Sequence, residues 1–254
     1  MSKHHPPLRE SARLSRLIAG RDLAAALDSS IAPVVLIASL LLVNTAFMNG
    51  FFLHGRVEMS SFFQAMPLFL AVFLPALSMR LFAEEHKTRT IEVLFSLPIS
   101  PREAVLGKYL AALGLFVLFL LGTLPIPGLL LVMGEPDLGA IVSGYLGVFL
   151  IGAELLALGV LASAITSDQI VAFIAAAAPG ATLVLLGDFR VKRVLDGLTS
   201  SQSLGTDIAS WISPLPVFEE LLRGVVGVSS LIHFGAFTAF FLWAAAQRLD
   251  RKNA

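Results

Sequence analysis

Long apolar runs separated by short charged interruptions divide this chain. A hydrocarbon core about 30 Å thick takes about 20 residues of helix. Runs of that kind occupy residues 31–53, 60–83, 104–133, 138–165, 170–187 and 228–246. The second carries Pro67 and Pro75 and meets its first charge at Arg80; the third is unusually long, and Pro125 and Pro127 near its far end predict a kink. A Gly-Glu-Pro-Asp turn at 134–137 separates the third run from the fourth, and Pro179 sits inside the fifth. The pattern predicts an all-α membrane protein of about six transmembrane helices, forming a single transmembrane domain over 1–254.

Three segments fit neither spans nor plain turns. Residues 1–30 form a polar N-terminal stretch in which Leu14, Leu17, Ile18 and Leu23 alternate with Arg13, Arg16 and Arg21. That basic amphipathic pattern suits an elbow helix lying in a headgroup layer, and an ordinary solvated helix is the plainer alternative. Residues 84–103 are the largest charged interruption, and residues 189–227 hold two or three short amphipathic stretches punctuated by Gly197, Gly205, Pro214 and Pro216. The last of these is expected at the outer face.

Composition supports this picture. The chain has 254 residues, 56% of them hydrophobic and 14% charged, with mean hydropathy +0.83, more apolar surface than a soluble domain of that size hides. Lys plus Arg and Asp plus Glu are both 18, so total charge gives no reason to expect nucleic acid. Their distribution sets orientation. With the N-terminus inside, thirteen of the eighteen basic residues fall on the cytoplasmic side, and both termini are expected there. Of the five on the outside, Arg190, Lys192, Arg193 and Arg223 lie in the long connection and Arg56 in a short one. No apolar core with a small-residue cleavage site opens the chain, so a secretion signal is not expected. Absence of cysteine excludes disulfide and thiolate chemistry.

Enzymatic motifs are missing. The pair Gly107-Lys108 has Arg102 where a phosphate loop needs its first Gly, and Tyr109 where Ser or Thr would hold magnesium. Neither HExxH nor GxSxG occurs, and no metal site or cofactor is expected in this chain.

The segment AEEHKTRTIEVLFSLPISPREAVLGK, residues 83–108, is the most informative. Thr90 can cap a short helix with Glu92 in its first turn and with Ile91, Leu94 and Phe95 on one face, which Pro98 stops. Ser100, Pro101 and Glu103 then form a start signal for the next helix. A rigid helix held crosswise between two spans can pass the movement of a docked protein into the membrane, because packed helices shift as units. A re-entry loop without a partner fits the spacing equally well.

Within and around that segment, Leu74-Pro75-Ala76-Leu77-Ser78-Met79-Arg80, Ala83-Glu84-Glu85, Thr90-Ile91-Glu92, Leu97-Pro98-Ile99-Ser100 and Leu106-Gly107-Lys108 resemble the ABC type-2 permease family. Similarity is greatest to the gliding-motility (GldF-like) branch, with NosY-like permeases as cousins. It continues through Asp137-Leu138-Gly139, Gly144-Tyr145-Leu146-Gly147, the block from Thr166 to Phe173, Phe218, and Arg223-Gly224-Val225. Arg89 departs from the pattern, which usually has Gly before the Thr.

The resemblance implies a permease dimer, of like or unlike subunits, seated on two ABC ATPase subunits that carry the ATP and magnesium. Glu84, Glu85, Thr90, Ile91, Glu92, Leu94, Pro98, Ser100 and Pro101 would be the ATPase-coupling element, and 189–227 an extracytoplasmic gate region. Bacterial inner membrane, contact with membrane lipid, and an accessory periplasmic or membrane protein belong to the same expectation. A second class is a membrane anchor whose ATPase drives an envelope or gliding machine without bulk transport.

Glu154 is the one acidic residue deep inside a predicted span, where an unpaired charge costs about 2.5–3.5 kcal/mol on insertion scales. It should face protein or water. A role in a transport path, a helix-packing role as a neutral acid hydrogen-bonded between helices, and an intramembrane catalytic role are the three readings, with Gly147, Gly152 and Gly159 nearby favouring close packing. His233 is expected as a packing or interfacial residue, and Asn44 and Gln64 as interhelical hydrogen-bond donors.

Overall fold

The computed structural model describes residues 8–54, 59–96, 99–198 and 204–252. Pro98 and Arg56 lie outside these residues, as do the side chains of Leu94 and Phe95. The described chain is helical throughout: α1 (Leu8–Asp28), α2 (Ile31–His54), α3 (Ser60–Ser78), α4 (Ala83–Thr88), α5 (Ile91–Ser96), α6 (Pro101–Thr123), α7 (Pro125–Met133), α8 (Leu138–Ile165), α9 (Gln169–Leu186), α10 (Phe189–Leu198), α11 (Leu204–Ile212), α12 (Pro214–Leu222) and α13 (Val228–Lys252). Among the described residues six stretches are long and apolar enough to cross a membrane. They coincide with the six runs read from the sequence.

Helix α8 is the hub. Of its most apolar stretch 78% is buried, against 17% for α2 and 22% for α9. It packs against α3, α6, α9, α12 and α13. Its glycines make this closeness feasible: a Cβ at Gly144 would collide with Phe63 of α3, one at Gly152 with Phe116 of α6, and one at Gly159 with the Ser78 hydroxyl of α3. Removing side chains from one helix lets the aromatic groups of its neighbours occupy the space. Phe62 and Phe63 of α3 and Tyr145 of α8 then interlock edge to face, with Phe63 and Tyr145 centroids 5.5 Å apart.

The prolines act where the sequence places them. Leu124 separates α6 from α7 immediately before Pro125. The turn is held by the Thr123 hydroxyl, 2.7 Å from the Leu120 carbonyl and 3.0 Å from the Tyr145 hydroxyl. Pro67, Pro75 and Pro179 remain inside α3 and α9. Helix starts follow side-chain caps: Asp137 accepts from the Ala140 amide, and Asp168 from those of Ile170 and Val171.

The N-terminal helix places part of its apolar side against the third span. α1 lies along α6, with Ile18 seated at Gly107 and Leu23 at Gly114; α2 then continues down the same helix with Leu40 at Gly122. Leu17, at 61% exposure, is the outward-facing member of the predicted stripe.

Candidate functional site

The most constrained polar region lies at the end of the bundle where α3 gives way to α4. Arg80 and Glu84, one turn apart across the α3–α4 break, form a two-pronged ion pair: Nε donates to Oε2 at 2.9 Å and Nη2 to Oε1 at 3.1 Å. The first amides of α4 have no intrahelical partners, as at any helix start. Here the Ser163 hydroxyl of α8 takes them, accepting from Phe82 N at 2.9 Å and Ala83 N at 3.1 Å while donating to the Met79 carbonyl at 3.1 Å. His86 adds a second tie, its Nε2 lying 3.2 Å from the Ala164 carbonyl. Helix α4 is thereby fixed to the terminal turn of α8.

A buried lysine fixes it to two more helices. Lys108, in the second turn of α6, is 5% exposed. Its Nζ lies 2.7 Å from Glu85 Oε1 of α4, 3.3 Å from Asp22 Oδ2 of α1 and 5.2 Å from the Phe82 ring centroid. An ammonium removed from water requires opposite charge nearby, and the aromatic face contributes further. One cation thus joins the N-terminal helix, the α4 helix and the third span.

Beyond α4 the chain turns outward. Arg89 takes φ 59° and ψ 14°, the left-handed region, and closes α4. This is the position at which the resemblance usually has Gly, and the geometry explains that preference. Thr90 precedes α5, its hydroxyl 2.9 Å from that of Thr88. Thr88, Arg89, Thr90 and Glu92 are exposed, whereas Ile91 packs on the core. Ser100 completes the predicted capping box: its Oγ accepts from the Glu103 amide at 3.3 Å, Glu103 Oε2 accepts from the Ser100 amide at 2.8 Å, and Pro101 is the first helical residue.

The residues expected as one coupling element therefore divide in two. Glu84 and Glu85 bind the body of the protein; Thr90 and Glu92 face outward. Asp22, Lys108 and Ser163, which complete the site, were not singled out from the sequence. A signal for Lys108 existed, since it sits four residues inside an otherwise apolar run and a lysine there needs a carboxylate partner. Ser163 gave none, because its role comes from backbone amides brought to it by the fold.

Glu154 stands apart, on α8 in the core and 0% exposed. Neither carboxylate oxygen has a hydrogen-bond partner, so the expected interhelical hydrogen bond is absent from this conformation. Asn44 Oδ1 is likewise unpaired, and Gln64 is exposed, lining an opening of about 610 Å3 with Asp137, Glu219 and Arg223 at the opposite end of the bundle. His233 packs between Phe234 and Phe237, at centroid distances of 5.6 and 4.8 Å. Among the described residues no group of three or more His, Asp and Glu is placed to hold a metal.

No curated protein matches the chain. A family model does: the one described as ABC-2 family transporter protein spans residues 18–248, the helical region just laid out from the middle of α1 to the last turns of α13. This multi-pass membrane protein belongs to the ABC-2 family of transporter proteins.

Proposed function

We propose that this chain is the permease subunit of an ATP-binding cassette exporter in a bacterial inner membrane, coupled to separate ATPase subunits that bind ATP and magnesium. The observation that carries the reading is the α4–α5 segment, two short helices joined at a left-handed Arg89. One is fixed to the N-terminal helix and to two of the spans; the other starts on an exposed surface. A displacement applied to α5 reaches α1, α6 and α8 through Lys108, Glu85 and Ser163, because bonded, packed helices move as units.

On this reading the α4–α5 end is cytoplasmic, as are both termini, in keeping with the excess of basic residues there. Two permease and two ATPase copies assemble, and α10–α12 cover the external mouth. Within the family we place the chain nearest the gliding-motility permeases, on the residue pattern around Arg80 and Asp168.

The test is co-purification of the ATPase with the intact chain and with a variant whose residues 90–96 are replaced by a Gly/Ser linker. Loss of the ATPase from the variant alone is expected, and full retention overturns the docking assignment. ATP-dependent flux in proteoliposomes separates an exporter from a non-transporting anchor.

A further inference from the structure

Between the N-terminal helix and the third span lies a cavity of about 280 Å3 that nothing in the coupling role requires. Its apolar wall comes from Ile31, Ala32 and Val35 of α2, Leu77 of α3, and Ala112 and Leu115 of α6. Its polar end holds Asp22, Arg80, Glu84, Glu85 and Lys108. The volume is near the lower bound of roughly 300–1,000 Å3 for small-molecule sites. It suits a headgroup with the first methylenes of a chain, the remainder of which can follow the same face of α2 past Val35, where Leu42 is 60% exposed.

Hydrogen bonding at the polar end is incomplete. Glu84 is satisfied by Arg80. Glu85 gives one oxygen to Lys108, and its other, Oε2, is buried without a hydrogen-bond partner. Asp22 Oδ1 takes Arg21 at 2.9 Å; its Oδ2 is within 3.3 Å of Lys108 Nζ but receives no aligned hydrogen bond. Asp22, Glu84 and Glu85 are matched by Arg21, Arg80 and Lys108, so the cluster is balanced in charge while Glu85 Oε2 and Asp22 Oδ2 still lack a hydrogen-bond donor. Buried acceptors left in this state call for N–H donors, and a charge-balanced cluster admits them on a headgroup that carries no net charge.

We propose that this cavity binds a membrane lipid whose headgroup ends in a primary ammonium, of the phosphatidylethanolamine type. Two of its three N–H donors go to Asp22 Oδ2 and Glu85 Oε2, and its tail lies along α2. The location fits: the charged residues sit at the end of the spans, where headgroups lie, and the apolar wall runs toward the hydrocarbon. A quaternary ammonium keeps the charge but has no N–H, so it leaves both oxygens unsatisfied. The site does not depend on ATPase docking, and its test is made without nucleotide or ATPase.

The experiment is native mass spectrometry of the full-length chain released from detergent with equal amounts of phosphatidylethanolamine, its mono- and dimethyl derivatives, phosphatidylcholine and phosphatidylglycerol. Retention of one lipid per chain, falling at least tenfold from the primary amine through the methylated series to phosphatidylcholine, is the expected result. Ala32→Leu, which fills the half-buried α2 wall without changing charge, should lower retention several-fold. The Asp22→Asn/Glu85→Gln double substitution should erase the headgroup preference. Equal retention of the five lipids by the unaltered chain, undiminished retention in Ala32→Leu, or an undiminished preference in the double variant overturns the proposal.

Discussion

The two ends of the bundle are held by different forces. At the α3–α4 junction, hydroxyl, carboxylate and ammonium groups bond particular backbone positions: Ser163 to Phe82, Ala83 and Met79, and Lys108 to Glu85 and Asp22. At the other end, α12 is held by apolar contact, with Phe218 and Leu221 both 0% exposed and the Phe218 ring 3.0 Å from where a Cβ on Gly147 would sit. Directional bonds fix a position and break as a set, whereas apolar surfaces tolerate sliding at modest cost. The first suits an element that must transmit displacement, and the second an element that is displaced. This contrast carries the mechanistic reading.

The strongest test of the contrast substitutes each anchor. Lys108→Ala leaves the buried carboxylates of Asp22 and Glu85 without their cation and should cost about 3–5 kcal/mol. Phe218→Ala empties a buried aromatic site and should cost a similar roughly 3–5 kcal/mol. Thermal unfolding in detergent would show the two losses to be comparable. ATPase co-purification should separate them, falling for Lys108→Ala and holding for Phe218→Ala; equal effects would mean that the two ends are not distinct in role. Neutralising the whole cluster, with Lys108→Met, Glu85→Gln and Asp22→Asn together, should recover most of the stability lost in Lys108→Ala, since uncharged replacements avoid burying unpaired charge. The ATPase association should stay weakened.

Ser163→Ala comes next. It leaves two buried amides without an acceptor, about 1–3 kcal/mol for the pair of bonds lost. Hydrogen exchange should accelerate at residues 82–83 while the start of α6, capped independently by Ser100 and Glu103, keeps its protection. Faster exchange spreading to α6 would show that α4 and α6 open as one unit, merging what the hydrogen bonds present as separate ties.

The spans were legible because each is a long, nearly uncharged run, and lipid as solvent leaves few alternatives to a helix for such a run. Caps at Ser100, Asp137 and Asp168 were equally local, and the first was read in advance. What could not be read depends on partners distant in sequence. Glu84 and Glu85 entered the coupling element only through the resemblance; their inward contacts become apparent once α6 delivers Lys108 and α3 delivers Arg80. The amphipathic N-terminus was legible only in part, since a stripe of Leu and Ile describes a face and not what covers it. Gly107 and Gly114 supplied that cover by making room for Ile18 and Leu23 on α6.

Arg89 gives the smallest effect and the finest division of the site, because it lies where the fixed half meets the exposed half. A side chain in the left-handed region costs about 1–2 kcal/mol, and glycine removes that cost while giving back roughly 0.5–1 kcal/mol in unfolded-state entropy. Arg89→Gly should therefore raise stability by at most about 1 kcal/mol. Arg89→Val, with a branched side chain forced to φ 59°, should lower it by more than that. Because the guanidinium is exposed beside Thr90 and Glu92, the readout that matters is the ATPase. A stabilised Arg89→Gly that binds the ATPase less well identifies Arg89 as a contact retained despite its strain; unchanged binding assigns the position to turn geometry alone and moves the docking surface to α5.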